Sequence, residues 1–258
     1  MYKKKSLGQH FLKNPYYLGL VASAAGIRMG DTVVEVGPGE GTLTEVLLER
    51  GARVVALEKD RRLIPALEEK FAGRNFEVVE GDALDFDASK KFGTKSFKVV
   101  GNIPYYITGA LLKKFLSARA QPSTLVFLLQ KEVAKRIARH GPANKKEKES
   151  VLSLSVKAYG EPAYIKNVPR GAFSPPPKVD SGILAVTNIS RKNFKNEEHE
   201  KKFFELVKKG FSQKRKLLKN NLGERYARAF KMLGIRDNAR AEDVPLRVWL
   251  RLTAEVSG

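Results

Sequence analysis

The stretch Thr32-Val33-Val34-Glu35-Val36-Gly37-Pro38-Gly39-Glu40-Gly41-Thr42-Leu43-Thr44-Glu45-Val46-Leu47-Leu48 determines the fold of this 258-residue chain. Its first five residues are typical of a buried strand and its last seven of an amphipathic helix, and a glycine-rich turn joins the two. This order of elements is the nucleotide-binding arrangement of open α/β sheets. The alternative is an ordinary strand–turn–helix connection that binds no ligand.

The spacing of the glycines indicates which ligand the turn suits. Dinucleotide-binding folds use G-x-G-x-x-G, whereas this turn reads G-x-G-x-G, with Glu35 before it and with Pro38 removing one amide donor. The pattern fits a ligand that has no phosphate and that carries a cationic or zwitterionic amino-acid end. S-adenosylmethionine is such a ligand.

Two more predicted strands place carboxylates at the same edge of the sheet. Arg53–Leu57 ends in Glu58, where an acid is placed to bind ribose hydroxyls, and Phe76–Glu80 is followed by Gly81-Asp82-Ala83. The Asp82 carboxylate is placed to accept a hydrogen bond from the adenine amino group of a cofactor. The alternatives are a capping or solvated Glu58 and an aspartate that only forms a turn.

A fourth predicted strand, Ser96–Gly101, leads into Asn102-Ile103-Pro104-Tyr105. The Asn102 side-chain oxygen and the Pro104 carbonyl are two hydrogen-bond acceptors, and the proline ring fixes the direction of that carbonyl. Tyr105 adds an aromatic face. Together they suit a flat ring with an exocyclic amine, such as adenine, because two acceptors can hold the amine with its lone pair outward. A turn after a strand is the alternative.

The remaining elements complete a mostly parallel sheet with an antiparallel edge pair. Thr124–Leu129 reads as a buried central strand, and Tyr164–Val168 and Gly182–Val186 as the antiparallel pair. Helices are predicted from Pro15 to the stop at Gly26, from Thr42 to Leu48, through Leu67 and Phe71, and at Thr108–Leu116 and Lys131–Arg139. The pattern of Val151–Tyr159 fits a helix or a strand, and we favour the helix. We take residues 6–12 as an extended arm.

The segment Phe173–Ser181 contains three consecutive prolines, which make it stiff. It would hold Phe173 in a fixed place, where its ring and that of Tyr105 could enclose a flipped base. A phenylalanine that belongs only to the core is the alternative.

The C-terminal part has a helical pattern throughout, with helices at about 198–210, 213–222, 224–233 and 245–256, punctuated by glycines. We therefore divide the chain into an α/β domain, residues 1–189, and a small all-helical domain, residues 190–258. The stretch Gln213–Lys219 contains four cations, Lys214, Arg215, Lys216 and Lys219. They predict a face that contacts phosphates, and a merely solvated face is the alternative.

The net charge of +20 favours a polyanionic partner, with nucleic acid as the default. A basic surface that serves solubility alone is the alternative. The smaller C-terminal part, residues 190–258, carries 18 basic and 9 acidic residues and is the more densely positive part. This distribution agrees with a role in RNA binding for that domain.

The composition also excludes several kinds of site. The chain has no cysteine, which rules out disulfides, thiolate metal sites and a cysteine nucleophile. Its three histidines lie far apart, so we expect no metal site. No apolar run approaches 18 residues and no signal sequence follows the basic start. We therefore expect a soluble, cytoplasmic protein without a membrane segment.

The motifs together resemble one known family, the small-subunit ribosomal RNA adenine-N6,N6-dimethyltransferases, over nearly the whole length. The resemblance rests on Gly8-Gln9-His10-Phe11-Leu12, Glu35 to Thr44, Leu57-Glu58-Lys59-Asp60, Gly81-Asp82-Ala83, Asn102-Ile103-Pro104-Tyr105, Phe173 to Ser181 and Phe211-Ser212-Gln213-Lys214-Arg215-Lys216. The order of these motifs along the chain is that of the family.

The resemblance implies a class I, Rossmann-like methyltransferase domain, S-adenosylmethionine as cofactor and the helical C-terminal domain. It implies transfer of four methyl groups, two to each of two adjacent adenosines in the 3′-terminal hairpin of small-subunit rRNA, by a monomer that acts on the immature small subunit. Asn102 and Tyr105 would hold the target base and Phe173 would stack on it. The implied cofactor contacts are His10, Leu12, Gly37, Gly39, Gly41, Glu58, Asp82, Ala83 and Asn102.

The sequence departs from the family at Lys145–Ser150, where a short glycine-containing loop is usual, and mildly at Gly101 and Ile103. Two other functions remain open. One is a large-subunit rRNA adenine methyltransferase of the macrolide-resistance type, against which Gln213–Lys219 and Arg240-Ala241-Glu242 argue. The other is a non-catalytic ribosome-assembly or transcription factor, against which the complete set of Asn102, Tyr105, Glu58 and Asp82 argues.

Overall fold

The computed structural model describes residues 10–138 and 148–255. The chain forms two compact units, one from Met1–Ala138 and Glu161–Ile189, the other from Arg139–Gly160 and Ser190–Gly258. Three features noted in the sequence fall wholly or partly outside the described residues, namely the basic residues 3–5, Gly8-Gln9 and the segment Lys145–Ser150.

The first unit is built on a mixed sheet of seven strands, as the sequence predicts, and a separate pair of two-residue strands. The strands are β1 (Phe11–Leu12), β2 (Thr32–Val36), β3 (Arg53–Glu58), β4 (Phe76–Glu80), β5 (Lys98–Asn102), β6 (Thr124–Gln130), β7 (Glu161–Val168), β8 (Phe173–Ser174) and β9 (Ser181–Thr187). The large sheet has the order β4-β3-β2-β5-β6-β9-β7. Its first five strands are parallel, and β9 runs antiparallel to both β6 and β7.

The direction in which successive strands are added reverses at β2. The strands β3 and β4 lie on one side of β2, while β5 and β6 lie on the other. A crevice opens at such a switch point, outside the carboxyl ends of the strands, and ligands of open α/β sheets bind there. The fold therefore directs the search for a site to the ends of β2 and β5.

Six helices belong to the first unit: α1 (Pro15–Ala24), α2 (Thr42–Glu49), α3 (Ile64–Lys70), α4 (Ala88–Phe92), α5 (Thr108–Leu116) and α6 (Lys131–Ala138). The Asn14 side chain accepts a hydrogen bond from the Tyr16 amide, which caps α1 as predicted. Pro65 lies in the first turn of α3, where a missing amide proton costs least. The short α4 is not predicted, because its five residues show too few turns for a periodic pattern.

One core cluster of the first unit lies between the sheet and the helices α1, α2 and α3. It is formed by side chains that are almost fully buried, among them Leu18, Val21, Val33, Leu43, Leu47, Val54, Leu67, Phe71, Val100 and Val126. Burial of such side chains removes a large apolar area from water and stabilises the packing of helices on the sheet. The core therefore supports the sheet from which the site is built.

The second unit is helical, with α7 (Val151–Tyr159), α8 (Glu197–Gly210), α9 (Leu218–Leu222), α10 (Ala227–Met232) and α11 (Leu246–Glu255). The predicted helix 213–222 is wrong in its first half, because residues 213–217 form turns. Two contacts hold the chain in this non-helical path. The Phe211 ring stacks on Trp249 at 5.9 Å between ring centroids, and the Asn221 amide donates to the carbonyls of Gly210 and Gln213 at 2.6 and 3.2 Å.

The division of the chain differs from the predicted boundary at 189/190 in one respect, because α7 belongs to the second unit. The Tyr159 ring stacks on Phe204 at 5.7 Å between centroids, and its hydroxyl donates to Glu200 at 2.5 Å. The Asn193 amide donates to the Ala158 carbonyl at 2.8 Å. These contacts join residues 35 or more positions apart, so the local pattern of α7 does not reveal them.

Candidate functional site

A cleft of about 370 Å³ lies at the predicted edge of the sheet. The strand register explains why the predicted residues meet there, since Val36 lies opposite Leu57 of β3 and Gly101 of β5. The residues that directly follow these positions are Gly37, Glu58 and Asn102, and all three line the cleft. Adjacent strand ends thus bring together side chains that are distant in sequence.

Most of the predicted site residues border this cleft. The lining includes His10, Gly37, Gly39, Glu58, Asp82, Ala83, Asn102, Pro104, Tyr105 and Phe173. Leu12 and Gly41 do not line it, and Lys214, Arg215, Lys216 and Lys219 belong to the second unit. Phe173 is 5% exposed, belongs to the core cluster and also lines the cleft.

Leu12 and Gly41 are packed against other residues outside the lining of the cleft. The Leu12 side chain is 3% exposed in the core, and its carbonyl accepts a hydrogen bond from the Thr42 hydroxyl at 2.9 Å. Gly41 has a positive φ of 75° at the start of α2. A Cβ atom there would lie 2.7 Å from the Phe71 ring, so close packing requires glycine at this position.

The N-terminal segment is fixed to the cleft by pairing that the sequence does not predict. Strand β1 pairs antiparallel with β8, and the Lys13 amide donates to the Ala172 carbonyl at 3.1 Å. The Asn102 side chain donates through Nδ2 to the His10 carbonyl at 2.6 Å, and His10 Nδ1 lies 2.8 Å from the Pro175 carbonyl. Of the predicted extended arm, His10 and Phe11 thus line the cleft.

The N-terminal segment can pack against the glycine turn because Gly39 has no side chain. A Cβ atom on Gly39 would lie 2.4 Å from Cε1 of the Phe11 ring, far inside contact distance. Gly37 is different, since the nearest atom to its Cβ position is the Asn102 carbonyl oxygen at 4.0 Å. Both glycines have a positive φ, which favours glycine at each position.

Glu58 is held with its carboxylate in the cleft. Its Oε1 accepts from the Asp60 amide at 2.8 Å and its Oε2 from the Gly39 amide at 3.2 Å, and the residue is 5% exposed. Burial raises the pKa of the Glu58 carboxyl, and the backbone hydrogen bonds oppose that effect. A carboxylate has about four lone-pair positions, so two backbone donors leave room for ligand hydroxyls.

Asp82 carries its charge at the other end of the cleft. Lys59 donates to its Oδ2 at 2.7 Å and the Leu84 amide to its Oδ1 at 2.9 Å. The hydrogen bond from Lys59, followed by that from the Leu84 amide, lowers the pKa of the Asp82 carboxyl. Asp82 is therefore an ionised acceptor.

Glu35 precedes the glycine turn but does not line the cleft. It is 1% exposed, and its Oε2 accepts a hydrogen bond from the Thr44 hydroxyl at 2.6 Å. Burial, with the nearby Glu58 as a lesser contribution, raises the pKa of the Glu35 carboxyl to about 7. Its carboxylate thus faces α2 and not the cleft.

The stretch after β5 forms a short 3-10 helix, residues 105–107. The Pro104 carbonyl accepts a hydrogen bond from the Ile107 amide at 3.2 Å, which occupies one of its two lone pairs. The Tyr105 hydroxyl lies 2.8 Å from the Ser181 hydroxyl, and burial raises its pKa, so the phenol stays neutral near pH 7. Asn102 Oδ1 and the second Pro104 lone pair remain as acceptors.

Sequence reasoning missed several residues of this site. Phe11, Lys59 and Tyr106 line the cleft, with Tyr106 73% exposed at its mouth. Ser181 supports Tyr105 from outside the lining. The repeated Tyr105-Tyr106 pair is a signal for an exposed ring, whereas no local signal marks Ser181, because its role depends on pairing across the sheet.

Comparisons with known proteins agree with this geometry. The profile of a family described as "Ribosomal RNA adenine dimethylase" matches residues 1–257. The chain belongs to this family. Among its relatives, a protein of Dehalococcoides mccartyi named "Ribosomal RNA small subunit methyltransferase A" is 40% identical over 99% of this chain and 89% of the relative. A protein of the same name from Deinococcus radiodurans is 43% identical over 94% of this chain and 82% of the relative.

Two solved structures share the fold over almost the whole chain. A dimethyladenosine transferase from Plasmodium falciparum superposes with a TM-score of 0.81 at 27% identity, covering 96% of this chain and 98% of the other. The 23S rRNA methyltransferase ErmE superposes with a TM-score of 0.76 at 28% identity, covering 96% and 100%. The chain is thus an rRNA adenine dimethyltransferase of the small-subunit kind by its named relatives, on a fold that large-subunit enzymes share.

Among the described residues, no helix has the length and apolarity needed to cross a bilayer. In the same part of the chain, no three His, Cys, Asp or Glu side chains converge in a way that would hold a metal ion.

We expect Gly39→Ala to loosen the N-terminal segment. The new methyl group would meet the Phe11 ring, and an overpacked contact of this kind costs about 1–3 kcal/mol. Hydrogen exchange at the Lys13 amide should then become roughly 10- to 100-fold faster. Gly37→Ala is the matched control, because it imposes a similar positive-φ strain without that contact, and unchanged protection in Gly39→Ala would contradict the prediction.

We expect Glu35→Gln to flatten the pH dependence of stability. A carboxyl whose folded pKa is raised from 4.5 to about 7 contributes stability that is fully present below pH 4.5. That contribution is lost as the pH rises towards and through 7, at most about 3 kcal/mol for this shift. Urea unfolding at pH 5 and pH 8 should show a smaller difference in the variant than in the wild type, and Glu49→Gln, an exposed carboxyl, should behave as the wild type.

Proposed function

We propose that this chain transfers methyl groups from S-adenosylmethionine to N6 of two adjacent adenosines in the 3′-terminal hairpin of small-subunit rRNA, as a monomer in the cytoplasm. The family and the named relatives support rRNA adenine dimethylation in the small subunit. The observation that carries the residue roles is the hydrogen bond from Asn102 Nδ2 to the His10 carbonyl. It turns the amide so that Oδ1 is the atom left to accept.

The cleft fits the proposed cofactor by the chemistry of its donors and acceptors. The buried Glu58 carboxylate suits two adjacent hydroxyls of a ribose, and the Asp82 carboxylate suits an amino group of adenine. Gly37 allows close approach of the backbone to a ligand. Among the described residues, Lys59 is the one lysine or arginine that borders the cleft, and its charge is paired with Asp82, so the cleft has no free cation for a phosphate. When bound, the cofactor supplies a methyl group on a positively charged sulfur.

The residues after β5 then hold the substrate amine. Asn102 Oδ1 and the Pro104 carbonyl accept its two N–H bonds, which orients the nitrogen lone pair toward the cofactor side of the cleft. Fixed acceptors of this kind act by position and electrostatics and need no reorganisation during transfer. Tyr105 stays neutral and Phe173 is apolar, so both serve as ring faces for the base.

The second unit supplies the contacts with the RNA backbone in this proposal. Lys214, Arg215, Lys216 and Lys219 are all exposed. They lie in and just after a turn that Asn221 and Phe211 hold in place. Fixed cations bind phosphates without sequence preference and position the RNA, while the cleft selects the base.

We expect Asn102→Ala to lower methyl transfer at least 100-fold, because one of the two acceptors for the amine is lost. The rate should be measured by mass spectrometry of rRNA from small subunits that lack the modification. Loss of the bond to His10 also loosens the arm, so cofactor affinity should be measured in parallel and should fall far less than the rate. Asn75→Ala is the control, because Asn75 is exposed and precedes β4, at the end of the strands opposite the cleft.

The analysis of rRNA and the measurement of cofactor binding together distinguish the proposal from its alternatives. Modification of large-subunit rRNA alone by the wild-type protein would favour the macrolide-resistance type. Failure of the wild type to bind labelled S-adenosylmethionine would favour a non-catalytic factor. A near wild-type rate for Asn102→Ala would remove the role given to that residue.

We expect the triple variant Lys214→Ala, Arg215→Ala, Lys216→Ala to bind small-subunit rRNA more weakly and with a lower salt dependence. Each lost phosphate contact reduces the slope of log K against log salt by about 0.7–0.9, so the triple change should reduce it by about 2–3. The control triple Arg53→Ala, Arg61→Ala, Lys91→Ala removes the same charge from side chains that pair with Glu77 or Glu80. If the two triple variants weakened RNA binding equally, Lys214, Arg215 and Lys216 would contribute only through net charge.

A further inference from the structure

We propose that the adjacent residues Asp180 and Ser181 position the two aromatic rings that enclose the target base, Ser181 through Tyr105 and Asp180 through the segment that carries Phe173. The inference rests on the proposed function, since it assigns an anchor to rings whose task that function defines. Neither anchor residue lines the cleft, so each acts through another residue.

The first anchor is the contact between two hydroxyl groups. Ser181 Oγ lies 2.8 Å from the Tyr105 hydroxyl oxygen, and Ser181 is 1% exposed. Ser181 is also the first residue of β9, where it pairs with Gln130 of β6 on one side and with Val168 of β7 on the other. A backbone held on both sides cannot move without disrupting the sheet, so the Ser181 hydroxyl is a fixed point.

Tyr105 needs such a fixed point because its own backbone is weakly held. It begins a three-residue 3-10 helix, which has poorer hydrogen-bond geometry than an α-helix. Its ring borders the cleft while its hydroxyl points away to Ser181. The contact removes the rotation of the ring about χ1 and χ2 that an exposed tyrosine would retain, and so presents one face to the cleft.

The second anchor closes the segment that contains Phe173. The Asp180 Oδ1 accepts from the Arg170 amide at 3.0 Å, which joins the two ends of residues 170–180. Asp180 is itself held, because its carbonyl accepts from the Lys131 amide at 3.1 Å and its carboxylate lies 3.9 Å from Lys131 Nζ. With its ends joined and β8 paired to β1, this segment holds Phe173 in one place.

The positions of both rings therefore depend on two adjacent residues at the start of β9. Their separation is set by two neighbouring residues of the rigid sheet, although Tyr105 and Phe173 lie on different irregular segments. A site must hold its groups within about 0.5 Å of the productive arrangement, and support by neighbouring hydrogen bonds achieves this. We infer that the spacing of the rings, and so the fit of a flat base, depends on this pair.

The test is a double-mutant cycle on Ser181→Ala and Tyr105→Phe. One hydrogen bond contributes about 0.5–1.5 kcal/mol, so each single variant should lower kcat for methylation of unmodified small subunits about 3- to 10-fold. The double variant should be no slower than the worse single variant, because both changes remove one contact. The affinities for S-adenosylmethionine and for the particle should stay within about 2-fold.

A control separates positioning from general stability. Ser153→Ala removes a hydroxyl that is as buried as that of Ser181 and that donates to the Glu149 carboxylate at 2.6 Å in the second unit, and kcat should not change. If the losses multiply in the double variant, or if Ser153→Ala loses as much as Ser181→Ala, the role of Ser181 is overturned.

The second arm compares Asp180→Asn with Asp180→Ala. Asparagine keeps an oxygen that can accept from the Arg170 amide, so Asp180→Asn should retain most of the rate while Asp180→Ala loses about 3- to 10-fold. Equal rates in these two variants would overturn the role of Asp180. An inactive wild type would instead refute the proposed function itself, so the two failures are distinguishable.

Discussion

The parallel pairing of β2 with β5 is the constraint on which the rest of the site depends. The order of the sheet reverses at this pair, and the register brings Val36 beside Gly101. A Cβ atom on Gly101 would lie 2.9 Å from the Val36 carbonyl oxygen. Because Gly101 has no side chain, the two strands can end side by side. The glycine turn and Asn102 then face one another across an open crevice.

His10 and Phe11 of the N-terminal segment line this crevice, and Asn102 bonds to that segment. An amide at position 102 can donate to the His10 carbonyl with its nitrogen and accept from a substrate with its oxygen. A carboxylate of the same shape would place an acceptor against the carbonyl, which is unfavourable for two groups that both lack a proton. The residue proposed to hold the substrate amine is thus also the residue that bonds to His10, and this bond orients its amide.

Local patterns determine most of the fold. The strands from β2 to β6 and the helices α1, α2 and α5 follow from hydrophobic periodicity, from the cap at Asn14 and from glycine turns, all of which act over a few residues. The failures share one cause, since each depends on contacts between distant residues. The turn at 213–217 depends on Trp249 and Asn221, the membership of α7 depends on Phe204 and Glu200, and the pairing of β1 with β8 joins residues more than 160 positions apart.

The candidate site was predictable to the extent that it lies at strand ends. Glu58, Asp82 and Asn102 follow buried strands directly, so parallel topology brings them together. Leu12 and Gly41 were assigned to the cofactor, but in the structure one packs in the core and the other against Phe71, and neither borders the cleft. Their motif positions reflect close packing behind the cleft, which a sequence pattern cannot separate from ligand contact.

The electrostatic character of the site follows from the same arrangement. The groups around the proposed amine position are an amide, a peptide carbonyl, a neutral phenol and a hydrocarbon ring, none of which changes charge between pH 6 and 9. A reaction that depended on a general base would need a group that titrates in this range. Glu35, the group whose pKa lies near 7, is turned away toward Thr44. The proposed chemistry is therefore one of placement, in which fixed acceptors orient a weak nucleophile and the methylated amine then releases its proton to solvent.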